Sequence, residues 1–179
     1  MNPIQQKIAK TGKVLSVILL VSCILVIFPI LMNIIGIMAL LFAGGEKDVL
    51  SALQGIYSQT QVLSVQQLAI LFLLSLVYLF MLFFLHVILY HIFADISRNY
   101  TPFEKQQVIR MKRVAILTFV MCVFGNIYTG IQSAFLEEVT MLDFSTMDFN
   151  WLITAIVIYC MAHIFDYGYQ LQTQSDLTL

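Results

Sequence analysis

The chain has 179 residues, 60% of them hydrophobic and only 11% charged, with a net charge of −1 at neutral pH. A soluble globular domain carries about 25% charged residues, so a chain this apolar lacks the polar groups to cover a water-facing surface, and the ordinary soluble classes are excluded. Net charge alone points to no partner; the placement of the charges says more.

The first apolar run covers residues 14–43 and follows Lys7, Lys10 and Lys13. Basic residues before an apolar run resemble a secretory leader. A leader's apolar region is only about 7–15 residues long and ends at a small-x-small cleavage site. The run is therefore read as an uncleaved membrane span. Pro29 within it removes a backbone donor and crowds the preceding turn, which predicts a kink near Phe28. Asn33, in the same run, is expected to make a packing hydrogen bond. The connection that follows carries Gly44-Gly45, then Val49, Leu53 and Ile56 at helical spacing. It reads either as a short segment lying on the membrane surface or as an ordinary loop.

The second run, residues 63–97, projects past the membrane to about Arg98. Next comes Thr101-Pro102-Phe103-Glu104. Thr at the N-cap, Pro at the first helical position and Glu at the third form a capping box. The pattern predicts a helix from Pro102 that passes through Lys105–Arg113 into the third run, residues 114–136. Spans two and three would then form an αα-hairpin with a cytoplasmic helical extension. The third run holds Gly125, Asn126, Thr129, Gly130, Gln132 and Ser133. Small and polar residues at this density favour close helix contact, though a solute pathway would use the same types. An acidic connection leads to the fourth run, residues 151–171, which opens on Trp151 as an interfacial anchor.

A helix needs about 20 residues to cross hydrocarbon, and each run reaches or approaches that length. Backbone groups in lipid must be paired within the segment, and no run alternates apolar and polar residues as a barrel strand does. The expected fold is one all-α domain over residues 1–179, an integral membrane four-helix bundle.

Orientation follows from the nine Lys and Arg residues. Lys7, Lys10 and Lys13 precede the first span, and Arg98, Lys105, Arg110, Lys112 and Arg113 surround the link between spans two and three. Lys47 stands on the other side among Glu46, Asp48, Glu137, Glu138, Asp143 and Asp148. The distribution predicts both termini in the cytoplasm. It also accounts for the basic residues without nucleic acid, so direct nucleic-acid binding is not expected. Cys23, Cys122 and Cys160 lie in three different runs with no ligand spacing, and they are expected to be unpaired small hydrophobes.

The link residues Ile96 to Phe103, with Arg110 and Arg113, and the ending Ile164-Phe165-Asp166-Tyr167-Gly168-Tyr169-Gln170-Leu171-Gln172 with Asp176-Leu177-Thr178 carry a family likeness. The chain resembles the bacterial four-span membrane protein family called domain of unknown function 2975 (DUF2975). It departs from the family pattern at Tyr100, where Gly is usual, and at Ser175. The resemblance implies a four-helix membrane protein whose gene often neighbours one for a very small helix-turn-helix DNA-binding protein. It implies no activity or cofactor.

Ionisable residues at membrane depth are costly and default to functional candidates. His91 and Asp95 are four apart, and His163 and Asp166 three apart, so each pair shares a helix face. If spans two and four were neighbours, the four side chains would converge as a transition-metal site. The alternatives are that Asp95 and Asp166 pair with Arg98, Arg110 or Arg113, each His bonding a carbonyl or Tyr, or that the histidines respond to pH, since their charge changes near neutrality. No HExxH, GxSxG or P-loop occurs, so neither catalysis nor a cofactor is expected. Three functions remain. The first is a regulatory membrane protein that binds a small cytoplasmic DNA-binding partner through Arg98, Lys105, Arg110, Arg113, Leu171, Asp176 and Leu177. The second is a subunit of a transporter or channel-like homo-oligomer. The third is a metal-binding membrane protein at the His/Asp set.

Overall fold

A computed structural model describes residues 3–43, 51, 63–99, 104–136 and 149–177, the side chains of Ile4, Ala43, Asn99, Leu136 and Asp176 excepted. The amphipathic stretch of the first connection, the Thr101–Phe103 part of the capping box and most of the acidic connection lie outside the described residues.

Four helices carry the chain: α1 (Pro3–Ala43), α2 (Val65–Asn99), α3 (Lys105–Leu136) and α4 (Asn150–Leu177). All four are long and apolar enough to cross a membrane, and no strand occurs among the described residues. Their surfaces agree with a lipid solvent. Leu25, Phe28, Leu41 and Phe42 of α1 and Ile164 of α4 all stand largely exposed, Phe28 at 67%. Water would penalise that display and hydrocarbon does not.

α1 continues through Pro29 as one helix of 41 residues. α2 begins with a reciprocal cap: the Gln67 N–H donates to the Ser64 hydroxyl (3.2 Å) and the Ser64 N–H to Gln67 Oε1 (2.8 Å). α3 is described from Lys105, where the Glu104 carbonyl accepts the opening bonds from the Gln107 and Val108 N–H groups; the expected start at Pro102 lies outside the described residues. Glu104 therefore occupies the half-in position ahead of the first turn.

The helices pack in chain order, each antiparallel to the one before. α1 lies on α2, α2 on α3 and α3 on α4, and no other pair brings described Cα atoms within 8 Å. The bundle is thus open, with α1 and α4 apart. α1 and α2 approach closest where side chains are missing. A Cβ on Gly12 would sit 3.1 Å from the Phe93 carbonyl oxygen and the Ser97 nitrogen, and one on Gly36 would sit 2.6 Å from the Phe72 ring. Around that ring Leu40, Leu63, Leu68 and Leu71 are buried, with Tyr128 and Ile131 of α3 against them. A second cluster, Leu85, Ile92, Val114 and Met121, joins α2 to α3 and touches Ile158 of α4.

The packing role expected of Asn33 is present: its Nδ2 donates to the Ser75 hydroxyl at 2.7 Å, across the α1–α2 seam. The Ser75 hydroxyl in turn donates to the Phe72 carbonyl at 2.9 Å. Interhelical hydrogen bonds within membranes contribute about 0.6 kcal/mol on average, with a maximum near 1.7. Ser75→Ala is expected to destabilise the bundle by about 1 kcal/mol, read as a lowered detergent-unfolding midpoint. A Ser75→Ala midpoint equal to wild type would show that the bond contributes nothing net.

Candidate functional site

The antiparallel packing gathers the basic residues at one end. Gly12, beside Lys13, meets Phe93 and Ser97 near the end of α2; Arg110 of α3 meets Asp95 of α2; Lys112 of α3 meets Asp166 of α4. Lys7, Lys10, Lys13, Arg98 and Lys105–Arg113 therefore share that end.

Two ion pairs lock it. The Arg110 guanidinium donates through Nη1 to the Asp95 carboxylate and to the His91 carbonyl oxygen, the latter at 3.3 Å. This joins α3 to α2. Lys112 Nζ donates to Asp166 Oδ2 at 2.8 Å and joins α3 to α4. The first partner is one of the three arginines expected from sequence. The second is not: Asp166 takes Lys112, because α4 packs on the face of α3 that carries Lys112 and Ala115.

The structure does not bring the four His/Asp side chains together. His91 and Asp95 sit on α2, His163 and Asp166 on α4, and these helices do not touch along their backbones. Among the described residues no group of three or more His, Cys, Asp or Glu side chains is placed to hold a metal ion. The imidazoles find local company instead. The His91 ring stands edge-on to Tyr90 with centroids 5.3 Å apart, and His163 to Tyr159 at 4.8 Å. His86 Nδ1 lies 2.8 Å from the Leu82 carbonyl oxygen. None of Cys23, Cys122 and Cys160 forms a disulfide.

Of the residues offered to a protein partner, Arg98, Lys105 and Arg113 are exposed, while Arg110 is half-buried against Asp95. Leu171 and Leu177 are exposed, Leu177 at 82%. The side chain of Asp176 lies outside the described residues. Lys105, Gln106, Ile109, Arg110 and Arg113 line a cleft of about 360 Å³ on α3.

A second cavity, of about 270 Å³, opens between the middle of α2, α3 and the start of α4. Tyr78, Met121, Gly125, Asn126, Thr129 and Trp151 line it. The cavity exists because Gly125 leaves space beside the Tyr78 ring, 3.7 Å from where a Cβ would stand. Its polar groups bond along α3: Asn126 Nδ2 donates to the Cys122 carbonyl (2.9 Å) and the Thr129 hydroxyl to the Gly125 carbonyl (2.7 Å). Gln132 and His86, which a solute path would have used, do not line it.

Sequence reasoning passed over Gln107, buried to 1% exposure with Oε1 lacking a hydrogen-bond partner. A signal was present: Gln107 lies three residues before Arg110 and seven before Val114, on the face α3 turns to α2. It also passed over Lys112, Tyr78 and Ser75. No protein-family model, curated protein or solved structure matches this chain.

Proposed function

We propose that the chain is a non-enzymatic, multi-pass protein of a bacterial cell membrane that uses its basic end to hold a small cytoplasmic DNA-binding regulator. Both termini lie on that cytoplasmic side, in keeping with the concentration of Lys and Arg there. One observation carries the reading. α4 runs on past the Lys112–Asp166 pair to Leu177, and the register of that pair sets Leu171 and Leu177 beside and beyond the start of α3. Exposed leucines on a helical tail, at the end of the bundle that carries Arg98 and Lys105, offer apolar contacts among cations, which suits an acidic amphipathic surface on a partner. The resemblance to the DUF2975 family supports the identity of that partner as a small helix-turn-helix protein.

A pull-down of the tagged full chain from its native cell in mild detergent, with mass spectrometry of the retained proteins, tests this. Recovery of a small helix-turn-helix protein, lost when residues 172–179 are removed, is the expected result. A complex that survives the truncation would remove the tail from the interface.

A second reading, a subunit of a transporter-like oligomer, draws on the cavity between Tyr78, Asn126 and Trp151. Its polar wall at membrane depth is what a bound solute would require.

A further inference from the structure

The cleft at the start of α3 is followed along the same helix by an apolar groove. Lys105, Ile109, Arg113 and Ile116 recur at helical spacing, so they form one stripe on α3. All four are exposed. One turn beyond Arg113 the stripe meets a groove of about 240 Å³ between α3 and α4, walled by Ile116 and Phe119 on one side and Ile156 and Tyr159 on the other. Its floor is Ala115 and Ala155, at 3% and 4% exposure. Small side chains at the seam keep the groove open.

The two halves differ in chemistry and follow one another along α3, the exposed Arg113 of the first lying one turn before the exposed Ile116 of the second. The groove is almost wholly apolar and lies in the part of α3 that hydrocarbon would surround. The cleft holds two cations, Lys105 and Arg113, that form no ion pair among the described residues, whereas Arg110 and Lys112 beside them are paired. Acyl chains fit the first half, and an anionic phosphate at headgroup depth fits the second. A protein segment would need an extended apolar stretch reaching into the membrane, and a soluble anion would leave the groove unused.

We propose that the α3–α4 groove seats one anionic glycerophospholipid, its phosphate held by Lys105 and Arg113 and an acyl chain laid between Phe119 and Tyr159. The site shares Lys105 with the partner surface but does not rest on that reading, since it requires only this chain and lipid. Each cation at a membrane surface contributes enough attraction to an anionic headgroup that losing two weakens binding by about 30-fold.

The test uses the full chain, delipidated in non-ionic detergent and titrated with phosphatidylglycerol or phosphatidylcholine of identical acyl chains, with retained lipid counted by native mass spectrometry. One phosphatidylglycerol per chain, preferred by about tenfold or more, is expected. Lys105→Gln with Arg113→Gln is expected to weaken it by about 30-fold, and Lys7→Gln with Lys10→Gln to leave it unchanged. Phe119→Ala, on an exposed face where folding tolerates it, is expected to lower retention of both lipids several-fold while keeping the preference. The proposal is overturned by equal retention of the two lipids, by equal loss in the Lys7/Lys10 variant, by an unaltered Phe119→Ala, or by displacement of the lipid with soluble glycerol 3-phosphate.

Discussion

Gly36→Val is expected to destabilise the folded chain by about 2 kcal/mol, the middle of the range for overpacking a tight core. The added Cβ would fall 2.6 Å from Phe72 Cε1 and 2.8 Å from Cζ, closer than carbon atoms pack. An aromatic ring at the end of a flexible side chain normally swings aside. Phe72 has little room to do so, being 3% exposed and enclosed by Leu40, Leu68 and Leu71. The clash must then move the ring into its neighbours or push α1 away from α2. Unfolding in mixed micelles of rising dodecyl sulfate content, followed by helical circular dichroism, reads the cost. Pairing Gly36→Val with Phe72→Leu is expected to recover part of it, since residues in contact are not additive. Gly125→Ala is the contrasting case. Its Cβ would make an ordinary 3.7 Å contact with Tyr78, so its effect is expected to stay within about 0.5 kcal/mol. Equal losses for Gly36→Val and Gly125→Ala would mean that the close approach at Phe72 is not what limits the site.

Arg110→Leu is expected to cost about 2–4 kcal/mol, because it strands the Asp95 carboxylate at the end of a membrane span. The Arg110 and Asp95 side chains are 19% and 29% exposed, so desolvation counts, and Arg110 also serves the His91 carbonyl oxygen. Removing both partners is a different matter. The Arg110→Leu/Asp95→Leu double variant is expected to return to within about 1 kcal/mol of the original, as apolar replacements of buried ion pairs often do. Arg110→Lys should fall between, since one ammonium replaces a planar fork. The Lys112–Asp166 pair is a third exposed on each side, and Lys112→Ala is expected to cost only about 0–1 kcal/mol. Double-mutant cycles under the same unfolding conditions measure both couplings. A coupling at Lys112–Asp166 as large as that at Arg110–Asp95 would contradict the ranking by exposure.

The helices were legible because hydrocarbon-length apolar runs have few other uses. Their ends were less so. α1 begins at Pro3 instead of Val14, since Gln5–Lys13 is good helix-forming sequence with no apolar signal to mark it. α3 is described from Lys105, directly after the Thr101–Glu104 box that announced it. Pairing was harder still. That Asp95 seeks an arginine follows from charge cost alone, but that Asp166 finds Lys112 depends on which face α3 turns to α4, and apolar runs that are hydrophobic all round carry no record of facing. The same gap hid the distance between His91 and His163, on which the idea of a metal site depended. Gly12 and Gly36 were readable in principle: a glycine inside a long apolar helix costs helix propensity, and a close neighbour is the usual reason to keep one. Asn33 was recognised as a packing residue, yet its partner Ser75 is one hydroxyl among several and nothing local marks it.

The order of helix contacts bears on how the chain reaches its fold. Among the described residues each helix makes backbone contacts with its neighbours in sequence alone, so each seam needs just the next helix to be made. The α1–α2 hairpin, sewn by Gly12, Gly36 and the Asn33–Ser75 bond, can close while α3 is still being synthesised, and α3 and α4 then add in turn. Such an assembly proceeds hairpin by hairpin, each loop closing between two helices that are already formed. It also makes the N-terminal hairpin the one unit whose failure every later step inherits, while a fault in α4 leaves the α1–α2 and α2–α3 seams intact.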